Sequence, residues 1–166
     1  GPIIFCCVYD GYVYFDIKSI DEGGFLRIGV DGTGKQQLLT SMPSFYCIVN
    51  DRIYFTAESD PTLIKSMNLD GSDITEVYRA NDTVVAVNIS GKLLILAKGI
   101  SYDNDGLTLS GAIQIVSLDT GEVVREWEST TEPLSVADGL LFFTEDQENM
   151  AWSCINLETF ETIPTK

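Results

Sequence analysis

The chain of 166 residues contains no histidine. That removes the commonest general base and the commonest zinc ligand, and with them the Ser–His and Cys–His nucleophile pairs. Basic residues are scarce as well: 10 Lys and Arg stand against 25 Asp and Glu, for a net charge of −15. A nucleic-acid or anionic-membrane surface needs clustered cations to displace counterions, and no such cluster exists, so nucleic acid is not an expected partner. Long apolar runs are missing too. The longest, such as residues 93–97 and 140–143, fall far short of the roughly 20 residues that span a bilayer as a helix, so no direct membrane insertion is expected. No secretory signal pattern is present. The opening Gly1-Pro2 resembles the scar of a protease cleavage, so a leader removed upstream stays open.

Cysteine is sparse and badly spaced for metal. Cys6, Cys7, Cys47 and Cys154 fit no CxxC pattern. Neighbouring residues on a strand point to opposite faces, so Cys6 and Cys7 do not serve one site. Cys7 and Cys47 stand four residues before Gly11 and Asp51, a place that Val87 and Ser135 fill further on. They are expected as small packing residues, because a redox pair needs Cα atoms within about 7 Å. Neither a metal nor a cofactor is expected. Two sequons occur, Asn81-Asp82-Thr83 and Asn88-Ile89-Ser90; the second falls inside an expected strand, where a glycan does not fit.

What the sequence does have is a repeat. A turn followed by an aromatic or aliphatic strand recurs as "DGYVYF" from Asp10, "NDRIYF" from Asn50, "SGKLLI" from Ser90 and "DGLLFF" from Asp138, at spacings of 40, 40 and 48 residues. A second anchor, an apolar residue, an acid and a turn, recurs as "VDGTGK" from Val30, "LDGSDI" from Leu69, "LDTGEV" from Leu118 and "LETFET" from Leu157, at spacings of 39, 49 and 39. Both anchors give four repeats, the third lengthened by about nine residues. Each repeat reads as four short strands, A to D, rich in the Tyr, Phe, Ile and Val that half-buried pleated positions favour. Nowhere does a helical period persist for ten residues. Four-stranded units of about 40 residues are the spacing of β-propeller blades. The expectation is a single all-β, propeller-type domain with four four-stranded antiparallel blades at about 3–42, 45–80, 83–130 and 133–166, either a closed four-bladed ring or part of a larger propeller.

The acids of "LDGSDI" could suggest a calcium loop, but such a loop needs a bidentate acid at its twelfth position. Counting from Asp70, that position is Asn81. The motif recurs between strands C and D, so a hairpin turn is expected, with Asp70 and Gly71 supplying the turn preferences. The second repeat, with Tyr54-Phe55-Thr56-Ala57 followed by Ile64 and Asn68-Leu69-Asp70-Gly71, resembles one repeat of the YWTD-type propellers of the low-density-lipoprotein-receptor family and their bacterial relatives. Phe142-Phe143-Thr144-Glu145, Tyr14-Phe15-Asp16-Ile17 and Leu94-Ile95-Leu96-Ala97 stand at the same place in the other repeats, and the tetrad's acid survives only as Glu145. The resemblance implies six blades, extracellular protein recognition and no catalysis.

In propellers the B–C and D–A connections gather on one face. The B–C loops expected here cover residues 19–24, 58–62, 98–111 and 145–150, and all carry acids: Asp21 and Glu22, Glu58 and Asp60, Asp103 and Asp105, Glu145 and Asp146. They form a candidate acidic rim for a cationic partner, although solvated loops are polar in any case. The long third loop is the one departure from the template, and loops extended from a rigid scaffold often carry recognition. Tyr102, Asp103, Asn104 and Asp105 are its candidate contact residues, on a β-hairpin extension turning at Asp105-Gly106. The expected function is a non-catalytic binding or sensing module, extracellular or in a bacterial cell envelope, taking a protein, carbohydrate or other small ligand on this face. The alternatives are a carbohydrate-active enzyme with paired carboxylates and a structural module. Self-association through open blade edges is also expected.

Overall fold

A computed structural model describes residues 3–18, 23–57, 59–102, 108–129, 133–146 and 151–164. Every regular element in them is a β-strand. The first sheet holds β1 (Ile3–Tyr9), β2 (Tyr12–Ile17), β3 (Gly24–Gly29) and β4 (Gln36–Leu39). The second holds β5 (Pro43–Val49), β6 (Arg52–Ala57), β7 (Asp60–Asn68) and β8 (Thr75–Arg79). β9 (Val84–Ser90), β10 (Leu93–Tyr102), β11 (Thr108–Ser117) and β12 (Val123–Glu128) make the third, and β13 (Pro133–Ala137), β14 (Leu140–Asp146), β15 (Ala151–Asn156) and β16 (Thr162–Pro164) the fourth. All four are antiparallel with strands in chain order, so each sheet is one sequence repeat. The chain divides into two compact units, Gly1–Arg79 and Ala80–Lys166, with two sheets in each.

The first anchor is the A–B hairpin turn. Asp10 and Gly11, Asn50 and Asp51, and Asp138 and Gly139 all have positive φ, the signature of the type I′ turn whose twist matches its strands. The third sheet differs. Leu93 pairs with Ser90, so the two-residue turn is Gly91-Lys92, with positive φ at Gly91 alone, the type II′ pattern. This shifts the third repeat by one residue from the sequence alignment. The residues level with Tyr54-Phe55-Thr56-Ala57 are Ile95-Leu96-Ala97-Lys98, in place of Leu94-Ile95-Leu96-Ala97. Lys98 therefore holds the tetrad's last position, and Asn88, not Val87, stands level with Cys7, Cys47 and Ser135.

The second anchor closes β7 to β8 as a turn. Gly71 N donates to Asn68 O (2.9 Å) and Asn68 N to Ser72 O (2.8 Å), with Gly71 in the left-handed region at φ 84°. The Asp70 carboxylate caps the turn, accepting from Ser72 N (2.9 Å) and Ser72 Oγ (2.5 Å). In the fourth sheet the left-handed residue is Phe160, at φ 58°. A side chain there costs about 1–2 kcal/mol; the Phe160 ring packs on the core of the second unit, which offsets it.

Each unit has its own core. Tyr14, Phe25, Tyr46, Ile53, Phe55 and Met67 fill the first, with the Phe25 and Tyr46 rings 4.4 Å apart. Ile95, Ile113, Ile115, Leu141, Phe143, Ile155 and Leu157 fill the second. Burial of such side chains is worth roughly 1.5–3 kcal/mol each. An arginine joins the two sheets of each unit in the same manner. Arg27 lies 4.4 Å over the Tyr12 ring and donates to Leu69 O (3.0 Å) in the next sheet. Arg125 lies 5.6 Å from the Trp127 ring centroid and donates to Phe160 O.

The expected B–C loops are shorter than the composition suggested, because strand pairing runs on through polar residues. Ala57 pairs with Asp60, and Asp146 with Ala151. Ser101 and Tyr102 pair with Ser110 and Thr108, so the long third loop begins as a hairpin extension. The expected turn at Asp105-Gly106 lies outside the described residues.

Candidate functional site

The strand ends that carry the B–C and D–A connections of the third sheet form a polar cleft. β10 alternates its faces: Ile95 turns into the core of the second unit, while Leu96 and Lys98 turn the other way. Cross-strand register puts Gln114 beside Leu96 and Glu126 beside Gln114, so Lys98, Gln114 and Glu126 share this second face. Asn81 and Asp82, just before β9, complete the wall. The cleft has a volume of about 180 Å³.

Lys98 is its centre. Only 4% of its side chain is exposed, an arrangement that costs several kcal/mol unless the charge is paired. Lys98 Nζ donates to Asn81 Oδ1 (2.6 Å) and pairs with Glu126 Oε1 (3.0 Å). Glu126 Oε2 accepts from Gln114 Nε2 (2.5 Å). Partial burial alone would push the Glu126 carboxyl up, but the hydrogen bonds from Lys98 and Gln114 and the ammonium charge outweigh it and hold Glu126 below its ordinary value.

Two glycines keep the backbone bare around this group. Gly99 sits in a bulge at φ 60°, and a Cβ on it would lie 2.6 Å from Asp82 Oδ2. A Cβ on Gly111 would meet Ile100 Cγ1 at 2.7 Å and Ser129 O at 3.0 Å. A side chain at either place would displace Asp82 or the β11–β12 edge.

Of the acidic-rim residues, Asp60 is committed within its own sheet. Its Oδ1 accepts from Thr62 Oγ1 (2.7 Å) and its Oδ2 pairs with Arg79 (3.0 Å). The Thr62 hydroxyl, then Arg79, hold its carboxyl below the ordinary value. Tyr102, Glu145 and Asp146 lie on β10 and β14 by their backbones. Asp21, Glu22, Glu58, Asp103, Asn104 and Asp105 fall outside the described residues. Among the described residues no group of three or more His, Cys, Asp or Glu is placed to hold a metal ion.

A second cleft, of about 310 Å³, opens in the first unit between the Asp10-Gly11 turn and the Gly29–Gly34 stretch. It is wider, but among the described residues no buried charge faces it, and its Asp31 carboxylate accepts from Thr33 N and Oγ1 (2.9 Å each) as a turn cap. The thiols are all free. Burial pushes the Cys7 thiol up and the Cys47 thiol up to about 12, which makes both poor nucleophiles.

Sequence reasoning missed the lysine cleft. In the sequence pattern Lys98 falls at the start of an expected loop, and Asn81 stands out only as a sequon and as a non-acidic twelfth position of the would-be calcium loop. The available signal was a cation directly after the apolar run 93–97, together with Gln114 between Ile113 and Ile115.

No protein-family model and no curated protein sequence matches the chain. Solved structures do match. The computationally designed protein Ika8 superposes with a TM-score of 0.62 at 10% identity, over 97% of this chain and 48% of that one. The Neurospora crassa Pan2 WD40 domain gives 0.60 at 11%, over 98% and 51%. A chain of the nidogen/laminin complex gives 0.50 at 13%, over 98% and 79%. At these identities the likeness is one of fold alone. The chain spans about half the length of the Ika8 and Pan2 chains. It has a propeller-type all-β fold, four four-stranded antiparallel blades that match propeller structures over about half of their length.

Proposed function

We propose that the chain is a binding module whose ligand sits in the cleft between Asn81, Asp82, Lys98 and Glu126. The observation that carries this reading is Lys98 itself. The equivalent position in the first two sheets holds Ile17 and Ala57, so the blade architecture closes at this point without a cation. A buried ion pair at such a position is weak evidence for stability, because an apolar replacement is often neutral or better. A recognition role accounts for the charge, for its amide and carboxylate partners, and for Gly99, where a Cβ would run into Asp82. Propeller recognition residues also sit on loops held by a rigid scaffold, and this cleft lies where such loops emerge.

The same geometry favours binding over a paired-carboxylate hydrolase. A general acid of that class needs its pKa raised, whereas Glu126 is held ionised with both oxygens already accepting hydrogen bonds. The test is saturation-transfer NMR with a library of small polar metabolites against the wild-type chain and Lys98→Met. Signals lost in the variant support the reading, and identical signals from both proteins refute it.

A further inference from the structure

The ligand class follows from which hydrogen-bonding groups of the cleft are still open. Lysine has three N–H donors and no acceptor. Two of those on Lys98 go to Asn81 Oδ1 and Glu126 Oε1, and among the described residues the third has no acceptor. Because Lys98 can only donate, the Asn81 amide must turn its oxygen to it, which leaves the Asn81 NH₂ as a second donor beside the ammonium. Asp82 supplies the opposite charge. Its Oδ1 accepts from Thr83 N (2.7 Å), while its Oδ2 lies against the bare Gly99 backbone, with no donor among the described residues. Glu126 has both oxygens engaged.

The cleft therefore offers two adjacent donors, one of them cationic, and one open carboxylate oxygen on the next residue. Resting on the binding reading above, we infer that the cleft takes the head group of a small zwitterionic α-amino acid. Its carboxylate meets Lys98 Nζ and Asn81 Nδ2, and its ammonium meets Asp82 Oδ2. Charge-assisted bonds of this kind are the stronger class. The charge count agrees: Lys98 against Asp82 and Glu126 leaves the cleft at −1, which disfavours a ligand that is only anionic. The size agrees as well. About 180 Å³ is below the roughly 300–1,000 Å³ of pockets for drug-sized molecules, so the ligand is small, of the alanine-to-leucine class. Gly99 matters because a Cβ on it would close on Asp82 Oδ2.

The test is isothermal titration at pH 7 with L-alanine, propionate, which lacks the ammonium, and ethylamine, which lacks the carboxylate. L-Alanine is expected to bind about tenfold or more tightly than either fragment, since each fragment forgoes a charge-assisted hydrogen bond. Asp82→Asn, a change at an exposed residue that keeps the oxygen facing Thr83 N, should bring L-alanine down to the propionate level. Lys98→Met should abolish binding of both, with circular dichroism confirming that each variant is folded. Propionate binding as tightly as L-alanine, or full L-alanine affinity in Asp82→Asn, would overturn the zwitterion assignment while leaving a Lys98-dependent anion site. No heat from any of the three probes would also overturn it; the metabolite screen then decides the broader reading separately.

Discussion

Lys98 and Glu126 form a pair whose members differ sharply in access to water, and that difference makes the two truncations unequal. The Lys98 side chain is 4% exposed and the Glu126 side chain 41%. Removing Glu126 leaves a largely buried cation, reached only through the cleft, with Asn81 as its remaining partner. Breaking a fully buried pair in this way costs about 3–5 kcal/mol; the open cleft and the Asn81 oxygen lower the figure for Glu126→Ala to about 2–3 kcal/mol. Removing Lys98 leaves a carboxylate that keeps Gln114 and bulk water. Lys98→Met nearly conserves volume, so its cost is about 1 kcal/mol or less. The double variant Lys98→Met/Glu126→Ala should fall close to Lys98→Met alone, because the orphaned charge is gone. The assay is urea unfolding followed by tryptophan fluorescence, which reports on the second unit because both tryptophans, Trp127 and Trp152, belong to it. With a urea m-value of about 1–3 kcal/mol/M, Glu126→Ala should lower the midpoint by about 1 M and Lys98→Met by much less. The pH dependence carries the same sign. Glu126 is held below its ordinary value by Lys98 and Gln114, so its contribution is present above that ordinary value and is lost as pH falls through the lower folded value; Lys98→Met should flatten that acid limb. Lys98→Met costing more than Glu126→Ala, or a double variant weaker than both, would refute the account of the pair.

Other consequences are as direct. Among the thiols, exposed Cys6 should alkylate first at pH 8, and buried Cys154 and protonated Cys47 should react only on unfolding; peptide mass spectrometry showing Cys47 as fast as Cys6 would contradict the burial that raises it. Arg27→Met removes the bond to Leu69 O, the Gln36 contact and the stacking on Tyr12, and should cost about 1–2 kcal/mol. Native-state hydrogen exchange should place that loss in the first unit, and a loss confined to the second would count against the arginine link. Asp70 caps a turn and is not a calcium ligand, so Asp70→Ala should lower the melting temperature equally with and without calcium. Calcium stabilisation of the wild type that Asp70→Ala abolishes would reverse that assignment.

The repeat made the four sheets legible, because a side-chain period of two and a turn every 40 residues leave few alternatives to antiparallel blades. The "LDGSDI" turn is legible in the same way, from Asp70 and Gly71. The site was less legible for two physical reasons. A hairpin can close as Asp-Gly or as Gly-Lys with no change in loop length, and in the third sheet that difference moved the register by one residue, which turned Lys98 from a loop residue into the tetrad's last position. Burial of a charge depends on partners distant in sequence, Asn81 and Glu126, and local pattern does not bring these together. The acidic loops attracted attention because charge is visible in sequence. In Asp60, the rim residue whose side chain is described, that charge neutralises Arg79 of the same sheet.

The central claim is that the lysine cleft, and not the wider cleft of the first unit, is where ligand binds. Backbone amide shifts recorded during an L-alanine titration test it most directly. The account predicts shifts concentrated at Asn81, Asp82, Gly99, Gly111 and Ala112, which line the lysine cleft, and absent from Lys98→Met. Shifts concentrated instead at Gly11, Tyr12, Val30 and Asp31, which line the wider cleft, and unchanged in that variant, would contradict it.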